Sequence, residues 1–177
     1  MARLNSGELR ELLERDLPGA LAAPHSPPQA AEAHGEEENH PVLQEHDAVV
    51  VAERLPDVAR YLRDQLGYSY LSHITAVDYL REGLIEVVYF FYHPEGGGPQ
   101  IVRVRVPRDN AVIPSITPFW PGANLQEREA YDLFGVHFPG HPFLRRVYLW
   151  DEFEGYPMRK DFPKTGDKYT HVTGGEE

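Results

Sequence analysis

Between Gln100 and Val106 the chain sets Arg103 and Arg105 alternately with Val102, Val104 and Val106. Successive side chains of an extended strand point to opposite faces, so this period-2 pattern predicts a sheet strand with one apolar and one wet face. Leu84–Tyr92, upstream, is rich in β-branched and aromatic residues. The linking sequence His93-Pro-Glu-Gly-Gly-Gly-Pro99 has turn composition, so the two runs form a hairpin.

Other elements follow from similar signals. Ala48-Val-Val-Val51 is a short apolar strand, and Tyr68–Tyr79 is aromatic and β-branched enough for another. Pro56–Leu66 predicts a helix with Val58, Tyr61, Leu62 and Leu66 on one face and Gly67 just past its end. Pro107, Pro114, Pro118 and Pro121 hold the next passage extended. Asn124 is expected to cap a short helix through the backbone of Glu127, with Gly135 ending it. Near the N-terminus, Asn5 and Glu8 form a capping-box pattern before Leu9, Leu12, Leu13 and Leu17, and Pro18-Gly19 stops the run.

These signals predict a helical arm over residues 1–19 and a loose Pro/Ala/Glu-rich linker over 20–46 that includes Pro27-Pro28 and Glu36-Glu37-Glu38. An α/β core domain then covers 47–139, followed by an extended C-terminal docking segment over 140–177. The expected fold is α+β, a two-layer domain with a mixed, mostly antiparallel sheet and helices on one face. The C-terminal extension is irregular, rich in turns and aromatics, and ordered by packing onto something.

Composition excludes several functions. The 177 residues carry 17 Lys+Arg against 28 Asp+Glu, a net charge of −11. Nucleic acid and anionic membrane surfaces both call for a basic face, so neither is an expected partner. Cysteine is absent, which removes disulfides, a thiolate nucleophile and Cys-ligated iron–sulfur clusters. Met1–Leu17 alternates charge with leucine, unlike a secretory signal, and no apolar run approaches the ~20 residues of a membrane span. The chain reads as cytosolic.

The densest chemistry lies in Glu127-Arg-Glu-Ala-Tyr-Asp-Leu-Phe-Gly135 and Gly140-His-Pro-Phe-Leu-Arg-Arg146, where charges crowd among aromatic and aliphatic residues. Glu127, Glu129 and Asp132 could serve as acid–base carboxylates. On a helix, though, Glu127 and Glu129 point to different faces, while Arg128 and Asp132 are spaced to pair. A structural or interfacial role is therefore the stronger reading. His137 and His141 have a zinc-compatible helical spacing, but Pro139-Gly140 interrupts any helix and no third ligand stands nearby. The His141 imidazole more readily bonds a neighbouring backbone group or carboxylate. Arg145-Arg146 and Arg159-Lys160 could bind an anion, yet Asp151, Glu152, Glu154 and Asp161 balance them, favouring ion pairs. Tyr148, Trp150, Phe153, Tyr156 and Phe162 lack helical spacing, and their density fits an interface. Gly96-Gly-Gly98 is a hairpin tip rather than a phosphate cradle, and Ser72, Ser115 and Thr117 lack a nucleophile-elbow pattern. Residue by residue, the chain reads as a cofactor-free docking domain.

The segment from Glu127 to Pro163 resembles the 30-kilodalton subunit family of respiratory complex I, the proton-translocating NADH:quinone oxidoreductase. Three ordered elements carry the resemblance: Glu127–Gly135, Gly140-His-Pro-Phe-Leu-Arg-Arg-Val147 and Gly155-Tyr-Pro-Met-Arg-Lys-Asp-Phe-Pro163. Weaker similarity reaches back through Gly67–Leu71, Thr75–Tyr79, Pro114–Thr117 and Trp120–Asn124, so it covers roughly Asp47 to Pro163. Phe143 stands where many members have Asp or Asn, Leu125 where an aromatic is common, and Tyr156 where His is common. The resemblance implies a subunit of the complex's hydrophilic arm, peripheral on the cytoplasmic side of the cell membrane. It binds no cofactor itself, while FMN, iron–sulfur clusters, NAD and quinone belong to the assembled complex. Its partners would be the quinone-site chain, related to hydrogenase large subunits, and the chain holding the terminal cluster. Membrane association would be indirect.

The motif residues Glu127, Arg128, Glu129, Tyr131, Asp132, Gly135, His141, Pro142, Arg145, Arg146, Arg159, Lys160, Asp161, Phe162 and Pro163 are then expected to fix the fold or dock a partner. None is expected to be catalytic, cofactor-binding or metal-binding. The nearest rival is the equivalent subunit of a membrane-bound hydrogenase or of a ferredoxin- or F420-type dehydrogenase complex. A stand-alone hydrolase using the carboxylate cluster and a generic adaptor are the others.

Overall fold

A computed structural model describes residue 4, residues 6–23 and residues 48–163. The Gln100–Pro107 strand, β4, alternates as its sequence dictates, with Val102, Val104 and Val106 buried and Arg103 and Arg105 turned to the other side. It pairs antiparallel with β3 (Leu84–Tyr92), which pairs antiparallel with β2 (Tyr70–Tyr79). A short strand β1 (Ala48–Val50) runs parallel to β4, giving a four-stranded mixed sheet of order β1-β4-β3-β2.

Register separates the two faces. Val104 lies opposite Val87 and Val102 opposite Tyr89, whereas Arg105 lies opposite Glu86 and Arg103 opposite Val88. The first set joins one core with Leu9 and Leu13 of α1 (Ser6–Asp16), Leu55, Val58, Ala59 and Leu62 of α2 (Leu55–Asp64), and Ala130 of α3 (Asn124–Phe134). The helices therefore cover one face, as the alternation requires. On the other face Glu86 is fully buried between Arg103 and Arg105, each 2.8 Å from a carboxylate oxygen. Burying a charge is tolerable only when it is paired in this way.

The N-terminal helix packs into the same core. Leu9 and Leu13 are fully buried, because an isolated 11-residue helix is marginal and needs a surface to cover. Residues 20–22 also lie along β1: the Val51 N–H donates to the Ala20 carbonyl and the Ala22 N–H to the Val49 carbonyl, both at 2.9 Å. The expected Asn5 cap and most of the 20–46 linker fall outside the described residues.

After β4 the Pro-broken passage is extended and pairs with the chain beyond α3. Ile113 N–H donates to the His137 carbonyl (2.9 Å), His137 N–H to Ala111 (2.7 Å), and Ser115 N–H to Pro139 (2.9 Å). α3 is entered through a single 3₁₀ turn at Pro121–Ala123. Asn124 is the first helical residue, not the cap; the cap position is Ala123, with no side-chain bond. The Glu127 carboxylate bonds elsewhere. α3 ends at Gly135 in the left-handed region (φ 75°), its N–H bonded to Tyr131. A Cβ there would also meet the Tyr156 ring at 2.5 Å, so glycine is needed on two counts. α2 ends at Asp64, earlier than the expected Leu66.

Candidate functional site

α3 is the hub of the region that the sequence marks out, and its charges point in separate directions. Glu127 is fully buried and accepts from the Ser115 hydroxyl (2.5 Å), the Ile116 N–H (2.8 Å) and the Thr117 hydroxyl (3.0 Å). Burial pushes its pKa up, partly offset by those donors. The buried Tyr89 hydroxyl is pushed up by burial and by the charge of Glu127. Glu127 thus fastens the Pro-rich passage to the helix.

Asp132, also fully buried, faces the C-terminal segment. Its Oδ1 accepts from Arg146 Nη1 at 2.8 Å. Its Oδ2 accepts three successive amides, Val147 (2.9 Å), Tyr148 (2.7 Å) and Leu149 (3.1 Å). Burial would raise this carboxyl, but the Arg146 bond and the Tyr148, Val147 and Leu149 amides outweigh it, and its pKa falls below the usual range. The expected Arg128–Asp132 pair does not form. Arg128 instead donates to the Arg145 (3.0 Å) and Arg146 (3.1 Å) carbonyls, because the returning segment lies across its side of the helix. Glu129 accepts from the Tyr148 hydroxyl at 3.2 Å. Each of the three carboxylates thus has partners of its own, and none bonds to another.

The remaining motif residues mostly complete the same fastening. Arg146 also donates to the Asp132 and Phe153 carbonyls (3.1 and 2.9 Å) and lies over the Phe153 and Tyr156 rings. Arg159 donates to the Phe134 carbonyl at 2.7 Å and stacks on Tyr156. His141 Nδ1 accepts the Phe143 N–H at 3.0 Å, which leaves the proton on Nε2, 3.2 Å from the Asn124 carbonyl. Burial lowers the His141 pKa. The His137 ring faces Tyr131 edge-on, so the two histidines do not share a site, and no group of three or more His, Asp or Glu among the described residues could hold a metal. Phe162 stacks on Phe153, while Pro142 and Pro163 are exposed.

Two residues outside the expected set anchor the far end. Asp78, buried on β2, takes a bidentate bond from Arg108 (2.7 and 3.1 Å) and accepts the Lys160 N–H at 2.8 Å. Arg108 also bonds Asp161, which holds that carboxyl below its usual range. A signal was present in the sequence, since Asp78 falls on the inward phase of the β2 alternation, where a charge requires a partner. Gln126 is another: its side-chain carbonyl caps the outward Ile74 N–H of edge strand β2.

The segment turns Phe143, Val147, Tyr148, Trp150 and Met158 outward, and Leu125 is exposed on α3. These are six of the nine large hydrophobic residues exposed among the described residues. Among the described residues no helix is long and apolar enough to cross a membrane.

The family model for the respiratory-chain NADH dehydrogenase 30 Kd subunit matches residues 48–168. The C subunit of NADH-quinone oxidoreductase from Moorella thermoacetica is 45% identical over 114 residues, covering 64% of this chain and 77% of that protein. Its namesake in Roseiflexus sp. is 45% identical over 114 residues, and the chain spans 66% of that protein's length. A chain of the membrane-bound sulfane sulfur reductase, an archaeal respiratory membrane complex, has a similar fold, with a TM-score of 0.61 and 34% identity over 67% of this chain and 71% of its own. This chain, with its α3 hub and fastened C-terminal segment, belongs to the 30-kilodalton subunit family of respiratory-chain NADH dehydrogenases.

Proposed function

We propose that this chain is a structural subunit of a proton-translocating NADH:quinone oxidoreductase, peripheral on the cytoplasmic side of the membrane and binding no cofactor of its own. It docks the quinone-site chain and lies near the chain of the terminal iron–sulfur cluster, supporting electron transfer between groups held by other subunits. One observation carries this reading. The C-terminal segment is tied down by a few polar anchors, Arg146 on Asp132 and Arg159 on the Phe134 carbonyl among them, and presents apolar side chains outward, the arrangement expected of a preformed docking surface. The names of the curated relatives favour this complex over the hydrogenase or ferredoxin/F420-type alternative. The sulfane sulfur reductase chain shows that the fold alone does not choose the complex.

The test is affinity purification of the tagged chain from native membranes in mild detergent. Flavin, iron–sulfur subunits and NADH:quinone activity should co-purify. Hydrogenase-like partners without flavin or NADH activity would move the chain to the alternative complex, and an isolated colourless chain would end the docking reading. Replacing Asp161 by Asn should lower the amount of assembled complex while turnover per assembled complex stays unchanged. Full assembly with lost activity would reopen a catalytic role.

A further inference from the structure

At the start of the C-terminal segment, two guanidinium groups share one exposed ring. The Arg145 guanidinium carbon lies 4.3 Å from the Phe143 centroid and that of Arg128 5.6 Å. Phe143 is 54% exposed, and Leu125, on the first turn of α3, is 61% exposed. The backbone beneath the ring is held, because the Phe143 amide donates to His141, whose other ring nitrogen bonds the Asn124 carbonyl.

The charges are less satisfied than the geometry. Arg128 donates only to the backbone carbonyls of Arg145 and Arg146, which orient it without cancelling its charge. No carboxylate among the described residues lies within ion-pair distance of either guanidinium; the buried Asp132 is taken by Arg146. Elsewhere the chain is strongly acidic, so this patch stands out in sign as well as in exposure.

We infer that Phe143, Arg128 and Arg145 form a recognition site for a carboxylate-bearing segment of a partner protein, an inference that rests on the docking reading above. The ring supplies an apolar floor, and stacking holds the guanidinium planes over it with N–H edges left for a carboxylate. Arginine beside aromatic residues is the composition of interface anchors. A lipid surface or nucleic acid is a poorer match. Each presents many phosphates and is met by larger basic clusters, whereas exposed Asp151, Glu152 and Glu154 follow in this segment. The exposed Leu125, Val147 and Tyr148 add the apolar contact that a protein segment can use.

The test uses the full tagged chain carrying Arg145→Glu or Arg145→Lys, with complex recovered from native membranes over a salt series. The Arg145 side chain is exposed and anchors nothing, so both purified variants should melt with wild type. Arg145→Glu should cut recovery about tenfold, equivalent to ~1.4 kcal/mol. Arg145→Lys, which keeps the charge but loses the planar fork, should fall between wild type and Arg145→Glu. Variants that assemble like wild type at every salt concentration would overturn the inference while leaving the docking reading intact. Binding of the purified chain to phosphatidylserine vesicles, lost in Arg145→Glu, would overturn it in favour of a lipid headgroup. If wild type itself recovers no complex, both readings fall together.

Discussion

The sheet and the C-terminal segment are ordered by different physics. In the sheet, apolar residues at alternate positions meet apolar residues of the helices, and many neighbours share each contact. In the segment after Pro139, turns alternate with isolated side chains and order comes from a few polar anchors: Asp132 on three amides and Arg146, Asp78 on Arg108 and Lys160, and Arg159 on the Phe134 carbonyl. The first design spreads its stability and tolerates substitution. The second concentrates it, because an unpaired buried charge costs more than a lost apolar contact.

The sharpest break in that contrast should come from Asp132→Ala. It leaves Arg146 and the amides of Val147, Tyr148 and Leu149 without an acceptor, at a cost of about 3–5 kcal/mol. Hydrogen exchange should then rise steeply at those three amides while β3 and β4 stay protected. Uniform loss across both regions would mean that the segment and sheet unfold as one unit.

The converse substitution is Leu13→Ala, expected to cost about 2–5 kcal/mol and to lower the denaturant midpoint of the whole domain. An unchanged midpoint would mean that α1 is an appendage rather than part of the core.

Acid titration should sharpen the comparison with the smallest effect. Asp132 and Asp161 titrate below the usual carboxylate range, so as the pH drops the unfolded chain binds protons first and stability falls. Their contribution is complete above the ordinary aspartate pKa of ~3.9 and is lost as the pH falls through their lower folded values. Glu127, raised by burial, has the opposite sign: its folded carboxyl binds its proton first, so it loses stability as pH rises above the ordinary glutamate range. Amide protection at Val147–Leu149 should therefore fail at a higher pH than that of β3 on acid titration. Simultaneous loss would count against separate anchoring.

The same division explains what could be read from the sequence. Alternation at Val102–Val106, the Gly-rich turn and the Gly135 stop are local signals, and each element appears where those signals predict it. The mixed sheet with helices on one face follows from their sum. Partner choice is not local. Arg128 and Asp132 have helical pairing distance, yet each finds a partner in a segment whose return path no spacing rule encodes. Asn124 satisfies a capping rule, but the chain enters α3 through a 3₁₀ turn that places it one position too late. The N-terminal leucines have the right period for a helix, but a period does not say whether a surface awaits it.

The parallel placement of β1 beside β4 carries a consequence for how the chain is made. Gln100 reaches back to the Leu4 carbonyl at 2.7 Å across 96 positions, and β1 joins the sheet through β4. On a ribosome, α1 and β1 emerge before β4, the strand that β1 pairs with. The β2-β3-β4 meander, made of neighbouring hairpins, can form without them, and non-local pairing is the slower step. Residues made before the meander are thus placed after it, and stalled-chain proteolysis should find α1 cleavable until the Gln100–Pro107 strand has cleared the exit tunnel.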